Sequence, residues 1–233
     1  MPGTLIKAGQ HRIVAIMAGL NGEKPLQIIE EAGRTAYQSR DKISDESASK
    51  FVDMLRRLGH ESVLEHSCMT VEFNKISRGF THDLVRHRLA AYTQESTRYV
   101  DEKDLFVIMP PHRDILEKNI EIELPSGHKE KISPSDFVSL NHQVYRGVRA
   151  AGWVPEDGRQ LLPNGMESQI VVTANLREWR HIFKLRCSIK AHWEMRYMMV
   201  NLLRDVQTRI PIIFDDFVIA PDGMSAEMPV ANK

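Results

Sequence analysis

Apolar residues recur along this chain with two periods, and the period switches from stretch to stretch. Arg12 to Met17 is a short apolar run that reads as a strand. Met69, Val71 and Phe73 alternate with Thr70, Glu72 and Asn74, the two-residue period of another strand. Between them, Pro25 opens a stretch with Leu26, Ile29, Ala32 and Ala36 at helical spacing. Ser44 or Asp45 can cap a second helix whose face carries Phe51, Leu55 and Leu58, with Gly59 as terminator. A helix from about Ser77 to Arg88 follows. Ile120, Ile122 and Leu124 then alternate up to Pro125-Ser126-Gly127, which predicts an exposed hairpin over 117–132. Ser133-Pro134-Ser135-Asp136 starts a helix that Gly152 can stop. Met166 to Ala174 reads as a strand, and Asn175 with Glu178 has the spacing of a capping box. The last long helix sets Met195, Met198, Met199, Leu202, Leu203 and Val206 on one face, as core or as subunit interface, and Pro211 ends it. No repeat or linker breaks the pattern. It predicts one α+β domain over residues 1–220, with a mixed or antiparallel sheet flanked by helices, and a loose, flexible tail over 221–233.

Bulk properties narrow the function. Thirty-one Lys and Arg balance 31 Asp and Glu, so the formal charge is zero and a coat for nucleic acid is disfavoured. The two cysteines, Cys68 and Cys187, are too few for a disulfide framework and fit a reducing, cytoplasmic compartment. The N-terminus carries no signal pattern, and no run approaches the roughly 18 apolar residues that span a bilayer.

Against that neutral background one stretch stands out. Arg86-His87-Arg88, then seven residues, then Ser96-Thr97-Arg98 concentrate three guanidiniums, an imidazole and the polar groups of Tyr92, Thr93 and Gln94. Guanidinium offers five fixed donors and no acceptor, which suits phosphate and other multi-oxygen anions. The predicted helix would present the basic triplet at its C-terminal end, where cations are favoured by up to about 1 kcal/mol. Arg177 and His181 are four apart and share a helix face. Arg186, five past His181, lies about 140° further round an ideal helix, so it should point elsewhere.

The Arg86-His87-Arg88…Ser96 spacing resembles the signature of the flavin-dependent thymidylate synthases. Arg98-Tyr99, Gly59-His60-Glu61-Ser62 with Glu65-His66, Arg159 with Leu162-Pro163, and Thr173-Ala174-Asn175-Leu176-Arg177 through His181 to Leu185-Arg186 extend the likeness over most of 12–215. The resemblance implies reductive methylation of dUMP to dTMP, with FAD as redox centre, NADPH as reductant and methylenetetrahydrofolate as carbon donor. It also implies a homotetramer with shared active sites. It places dUMP against Asp83, Leu84, Val85, Arg86, the Gln94-Glu95-Ser96-Thr97-Arg98 loop, Arg159 and Arg186. It places the flavin against Ser62, Arg86, His87, Arg88, Gln94, Asn175, Leu176, Arg177 and His181, and it ties Arg186 to ionisation of the substrate. Asp83 departs from the family, which often has glutamine there. No glycine-rich fingerprint accompanies these residues, so the flavin site is expected to be non-Rossmann.

Other chemistries read less well. Cys68 lies in an alternating strand and Cys187 late in a helix, poor settings for a thiolate, although Arg186 is positioned to lower the Cys187 pKa. Ser96 needs a base, and His87 has no acid near it in sequence. His60 and His66 lack metalloprotease spacing, so no metal is expected, and Glu65 reads as an arginine partner. The alternative class is a nucleic-acid-binding module with the Arg86–Arg98 run as phosphate clamp. A phosphohydrolase would need a carboxylate cluster for magnesium, and Asp215-Asp216, between Phe214 and Phe217, is the only adjacent acidic pair in the last fifty residues.

Overall fold

The computed structural model describes residues 3–20, 24–111 and 118–229. In chain order its main elements are β1 (Thr4–Lys7), β2 (Gln10–Ile16), α1 (Pro25–Ala36), α2 (Ser47–Arg57), β3 (Cys68–Ser77), α3 (Arg78–Leu84), β4 (Ala90–Gln94), β5 (Phe106–Met109), β6 (Ile120–Glu123), β7 (Lys129–Ile132), α4 (Pro134–Ala150), β8 (Glu167–Asn175), α5 (Leu176–Arg186), α6 (Trp193–Arg209), β9 (Val218–Ile219) and β10 (Ala226–Glu227). The strand order of the largest sheet is β2–β3–β8–β4. β1 and β5 pair in parallel, whereas β6–β7 and β9–β10 are antiparallel. The fold is thus mixed helix and sheet, as the periodicity predicts.

The chain forms two compact units, each drawn from three stretches, and it passes between them five times, within β2, β3, α3, β4 and β8. Neither unit is a continuous piece of sequence, which is why no linker is visible along the chain.

The first unit comprises Met1–Gln10, Phe73–Asp83 and Gln94–Ile170. Leu105, Val138 and Met166 form a small core, with Leu5, Val107 and Leu162 packed against it. α4 begins as expected: Ser133 Oγ accepts the Asp136 N–H at 3.1 Å, and the Asp136 carboxylate accepts the Ser133 N–H at 2.8 Å. The predicted hairpin is present in register Ile120↔Ile132 to Glu123↔Lys129, with Gly127 at φ +80° in its turn. Residue 117 lies outside the described residues.

The second unit comprises His11–Glu72, Leu84–Thr93 and Val171–Lys233. Trp179 is fully buried and its indole N–H donates to the Met69 carbonyl at 3.0 Å. The face of α6 carrying Met195, Met198, Met199, Leu202, Leu203 and Val206 is at most 1% exposed, so it is core within this unit and not an interface. Arg180 is also buried. It forks onto Asp216 with two 2.7 Å bonds, reaches Glu61 at 3.1 Å and donates to the Ile213 carbonyl. Arg56 holds Asp215 at 2.9 Å and Asp216 at 3.0 Å. Burial alone would raise the Asp216 carboxyl pKa, but Arg180 and Arg56 outweigh it and hold the group below its ordinary value. Asp215 and Asp216 are therefore engaged by arginines in a structural network.

Several expectations need correction. α2 is capped by neither Ser44 nor Asp45. Its N-cap is Glu46, and Ser47 Oγ accepts the Ser44 N–H at 2.9 Å. Leu58 is the C-cap of that helix and is 60% exposed, off the buried face of Phe51 and Leu55. α3 stops at Leu84, well before Arg88. The His87 N–H bonds back to the Leu84 carbonyl at 3.1 Å, and the Tyr92 hydroxyl shares its hydrogen between the carbonyls of Leu84 (2.9 Å) and His87 (2.7 Å). These bonds make a turn, so the basic triplet lies beyond the helix end. The tail is not loose over its described part. β10 pairs with β9, Ala226 is buried, and its N–H donates to the Cys187 carbonyl at 2.9 Å. Residues 230–233 lie outside the described residues.

Candidate functional site

The residues singled out from the sequence divide between the units. In the second unit the turn after α3 and the length of α5 supply Arg86, His87, Arg88 and Arg186. Together with Leu89, Glu178, His181, Leu185, Lys190 and Ala191 they line a cavity of about 530 Å³. A cavity of about 540 Å³, sharing Leu89, Glu178 and His181, is lined by Asn175, Arg177, Lys184, Arg180, Glu61, Glu65 and Met228. Both volumes suit a nucleotide-sized ligand. Four fixed cations, Arg86, Arg88, Arg186 and Lys190, face the first cavity against the single carboxylate of Glu178, so it favours anions.

His87 stands at the middle of this arrangement and is only 4% exposed. Arg186 Nε–H donates to its Nε2 at 2.9 Å, and Glu178 Oε1 lies 3.5 Å from its Nδ1. The His181 ring approaches edge-on at 5.6 Å between centroids. Sequence offers no acid for His87; the fold brings Glu178 from ninety-one positions away. The helical wheel predicts that Arg186 and His181 point apart, yet both line the same cavity, because the His87 ring is reached from both. Burial, then the Glu178 charge, pushes the Tyr92 phenol up to about 12 against the pull of Arg186, so its hydroxyl remains a donor that braces the turn. Burial also raises the Glu178 carboxyl pKa above its ordinary value, with His181 opposing.

Asn175 caps α5, its Oδ1 accepting the Glu178 N–H at 2.8 Å. Arg177 pairs with Glu65 at 2.5 Å, the arginine partnership expected for that glutamate. Ser62 is exposed on the short 3₁₀ helix Glu61–His66. Leu84 and Leu176, expected against dUMP and the flavin, have fully buried side chains. Their apolar side chains belong to the core, so only main-chain groups remain to meet a ligand, and the Leu176 N–H is engaged with the Ser67 carbonyl at 2.8 Å. Val85 is 40% exposed. Cys187 is fully buried, which pushes its thiol pKa up and overrides any help from Arg186. His60 Nδ1 meets the Tyr37 hydroxyl at 3.0 Å. Among the described residues no three His, Cys, Asp or Glu are gathered for a metal ion.

The first unit holds Asp83, Gln94, Glu95, Ser96, Thr97, Arg98 and Arg159. Arg159 and Thr97 line a cavity of about 290 Å³ with Arg78, His82, Leu162 and Asn164. Gln94 Nε2 donates to Thr81 Oγ1 at 3.0 Å and Ser168 Oγ at 3.3 Å. Ser96 Oγ accepts the Arg98 N–H at 3.3 Å, which folds the loop back on itself. Arg98 is bound to Glu156 at 3.1 Å. Pairs this exposed contribute about 0–1 kcal/mol, so an anion can take the guanidinium over. Asp83 is half-buried at the end of α3.

Glu102, missed by sequence reasoning, borders a further cavity with Glu95 and Glu167. Burial above all, then the charge of Glu95, pushes its carboxyl up to about 7. The folded chain therefore keeps a proton there that the unfolded chain has lost. That contribution is complete below about pH 4.5 and disappears as pH rises through about 7. Glu102→Gln, which cannot ionise, is expected to melt above the parent at pH 8 and to lose that advantage by pH 5. The difference should be on the order of 1 kcal/mol, because solvent screens a partly exposed group. A melting difference that stays constant from pH 5 to 8 contradicts this reading.

The four cations that line the His87 cavity give it the chemistry of a site for an anionic ligand. Residues 19–212 match the family model described as thymidylate synthase complementing protein. A flavin-dependent thymidylate synthase of Geobacter sulfurreducens is 36% identical over 191 residues, 79% of this chain and 78% of that protein. One from Mycolicibacterium vanbaalenii is 34% identical over 216 residues, 88% and 86% of the two chains. Among solved structures, thymidylate synthase X (ThyX) of Helicobacter pylori with FAD and dUMP superposes with a TM-score of 0.68 at 21% identity, covering 89% of this chain and 98% of that one; this likeness establishes the fold. The chain belongs to the flavin-dependent thymidylate synthase family.

Proposed function

We propose that the protein methylates dUMP reductively to dTMP with FAD as its redox centre, methylenetetrahydrofolate as carbon donor and NADPH as reductant. The observation that carries this reading, beside family membership, is the cavity lined by Arg86, His87, Arg88, Arg186 and Lys190. The donor set fits FAD. Permanently charged guanidiniums on the turn and α5 match a pyrophosphate, and the apolar side chains of Leu89 and Leu185 match a ring system. The absence of a glycine-rich loop supports a non-Rossmann site. When bound, FAD supplies the hydride chemistry that no side chain can.

The residues then divide the remaining work. Arg86, Arg88, Asn175, Arg177 and His181 hold the cofactor, with Ser62 and the main chain of Leu176 at the rim. In the first unit, Ser96, Thr97, Arg98 and Arg159 hold the nucleotide phosphate, aided by Gln94, Glu95 and Asp83. Arg186 cannot act as a base, since guanidinium keeps its proton above pH 12. Its role is to stabilise negative charge developing at N3 and O2 of the uracil ring. The buried Cys187 thiol is unsuited to attack carbon 6, which supports the flavin route over a thiolate one. We also infer a homotetramer in the cytoplasm. The stripe of Phe137, Leu140 and Val144 exposed on α4 is surface that a subunit contact would cover, and the free thiols suit a reducing compartment.

Purified protein is expected to be yellow, to oxidise NADPH, and to form dTMP only when dUMP and methylenetetrahydrofolate are both present. Colourless protein that takes up no FAD on reconstitution would overturn the proposal.

A further inference from the structure

We propose that Glu178 is a positioning residue, which sets the tautomer of His87 so that His87 can hold the guanidinium of Arg186. The argument starts from donors and acceptors. Arg186 Nε carries a hydrogen and no available lone pair, so its 2.9 Å contact with His87 Nε2 requires Nε2 to be the acceptor. A neutral imidazole with a bare Nε2 carries its proton on Nδ1. Nδ1 faces Glu178 Oε1 at 3.5 Å, and the two side chains are 3% and 7% exposed. A carboxylate facing an N–H stabilises that tautomer and orients the ring. The opposite tautomer would set two N–H groups against each other in the Arg186 contact.

Local geometry supports a dedicated role. Glu178 occupies the third position of α5, where a glutamate ordinarily reaches back to the N–H of the capping residue. Here only half of that box forms. Asn175 accepts the Glu178 N–H, but the Glu178 carboxylate turns inward to His87. A local preference set aside at a cavity wall is the kind of departure that functional sites show. The turn that carries His87 is itself fixed by the Tyr92 hydroxyl and by the bond from its own N–H to Leu84. Ring, turn and carboxylate thus leave the Arg186 guanidinium one defined place.

The inference rests on the role proposed above for Arg186, so the test has two arms. In the first, full-length protein labelled with ¹⁵N at histidine reports the ring tautomer, the His87 signals being identified by their loss in His87→Gln. The parent is expected to show Nδ1–H and a bare Nε2. Glu178→Ala is expected to lose that preference and Glu178→Gln, which keeps an acceptor oxygen, to regain it. In the second arm, Glu178→Ala should lower kcat for dTMP formation by about 10- to 100-fold with flavin content unchanged, the same order as the loss of a carboxylate that orients a metal-ligating imidazole. Glu178→Gln should recover most of that loss. A protonated Nε2 in the parent overturns the proposal even if the alanine variant does not fold. So does an unchanged tautomer in Glu178→Ala, or full activity in a Glu178→Ala protein whose tautomer has been lost. Parent protein that makes no dTMP would refute the proposed function instead, while the spectra would still decide the His87–Glu178 relation.

Discussion

Replacing Arg186 by alanine is expected to cut dTMP formation by about 100- to 1,000-fold while leaving the protein folded and yellow. The magnitude is that of removing one preorganised donor aimed at developing charge. Arg186 lies at the end of α5, nine residues beyond Arg177 and eleven beyond the N-cap Asn175. Its guanidinium sits beside His87, whereas Arg86, Arg88, Arg177 and Lys184 remain in the alanine variant to hold an anionic cofactor. The visible spectrum and a dTMP assay on the same preparation decide the matter. Loss of colour together with activity would mean that Arg186 binds flavin, and unchanged activity would remove it from the chemistry. Arg186→Lys should rescue little, because an ammonium keeps the charge but loses the planar fork and the Nε–H that meets His87.

Arg180→Ala is expected to destabilise the protein by about 3–5 kcal/mol, with a fall in melting temperature on the order of 10 °C. Arg180 is 3% exposed and compensates the partly buried Asp216 and Glu61. Removing it leaves Asp216 to Arg56 alone and strips the Ile213 carbonyl of its donor. The cost arises from uncompensated buried charge more than from the net value of the pair. A thermal melt at neutral pH measures it, and a change below about 1 kcal/mol would show that Arg56 carries the network by itself. The loss should deepen as pH rises from acid to neutral. Asp216 is depressed below its ordinary pKa, so its stabilisation is present above the unfolded value and lost as pH falls through the folded one.

Most elements with strong local signals are legible in the residue pattern. α1 and α6 follow from apolar spacing with a proline start or stop, α4 from its Ser133-Pro134 start, β3 from alternation and β8 from its apolar run. The basic residues of the site were likewise legible, since charge interrupting an apolar run is a local anomaly. Motif spacing carried the family. Four-residue strands such as β1 and β5 were invisible, because they exist only by pairing in parallel with each other across about a hundred residues. The stop of α3 at Leu84 was hidden for a related reason: it depends on the Tyr92 hydroxyl returning from the next strand. Tertiary structure alone decided that Glu178 meets His87, that Arg180 is buried, and that Glu102 keeps its proton near neutrality. Each depends on burial and on charges brought from distant positions. Local preference fixes which residues form a helix or strand, but the pKa and partner of a side chain are set by what the fold places around it.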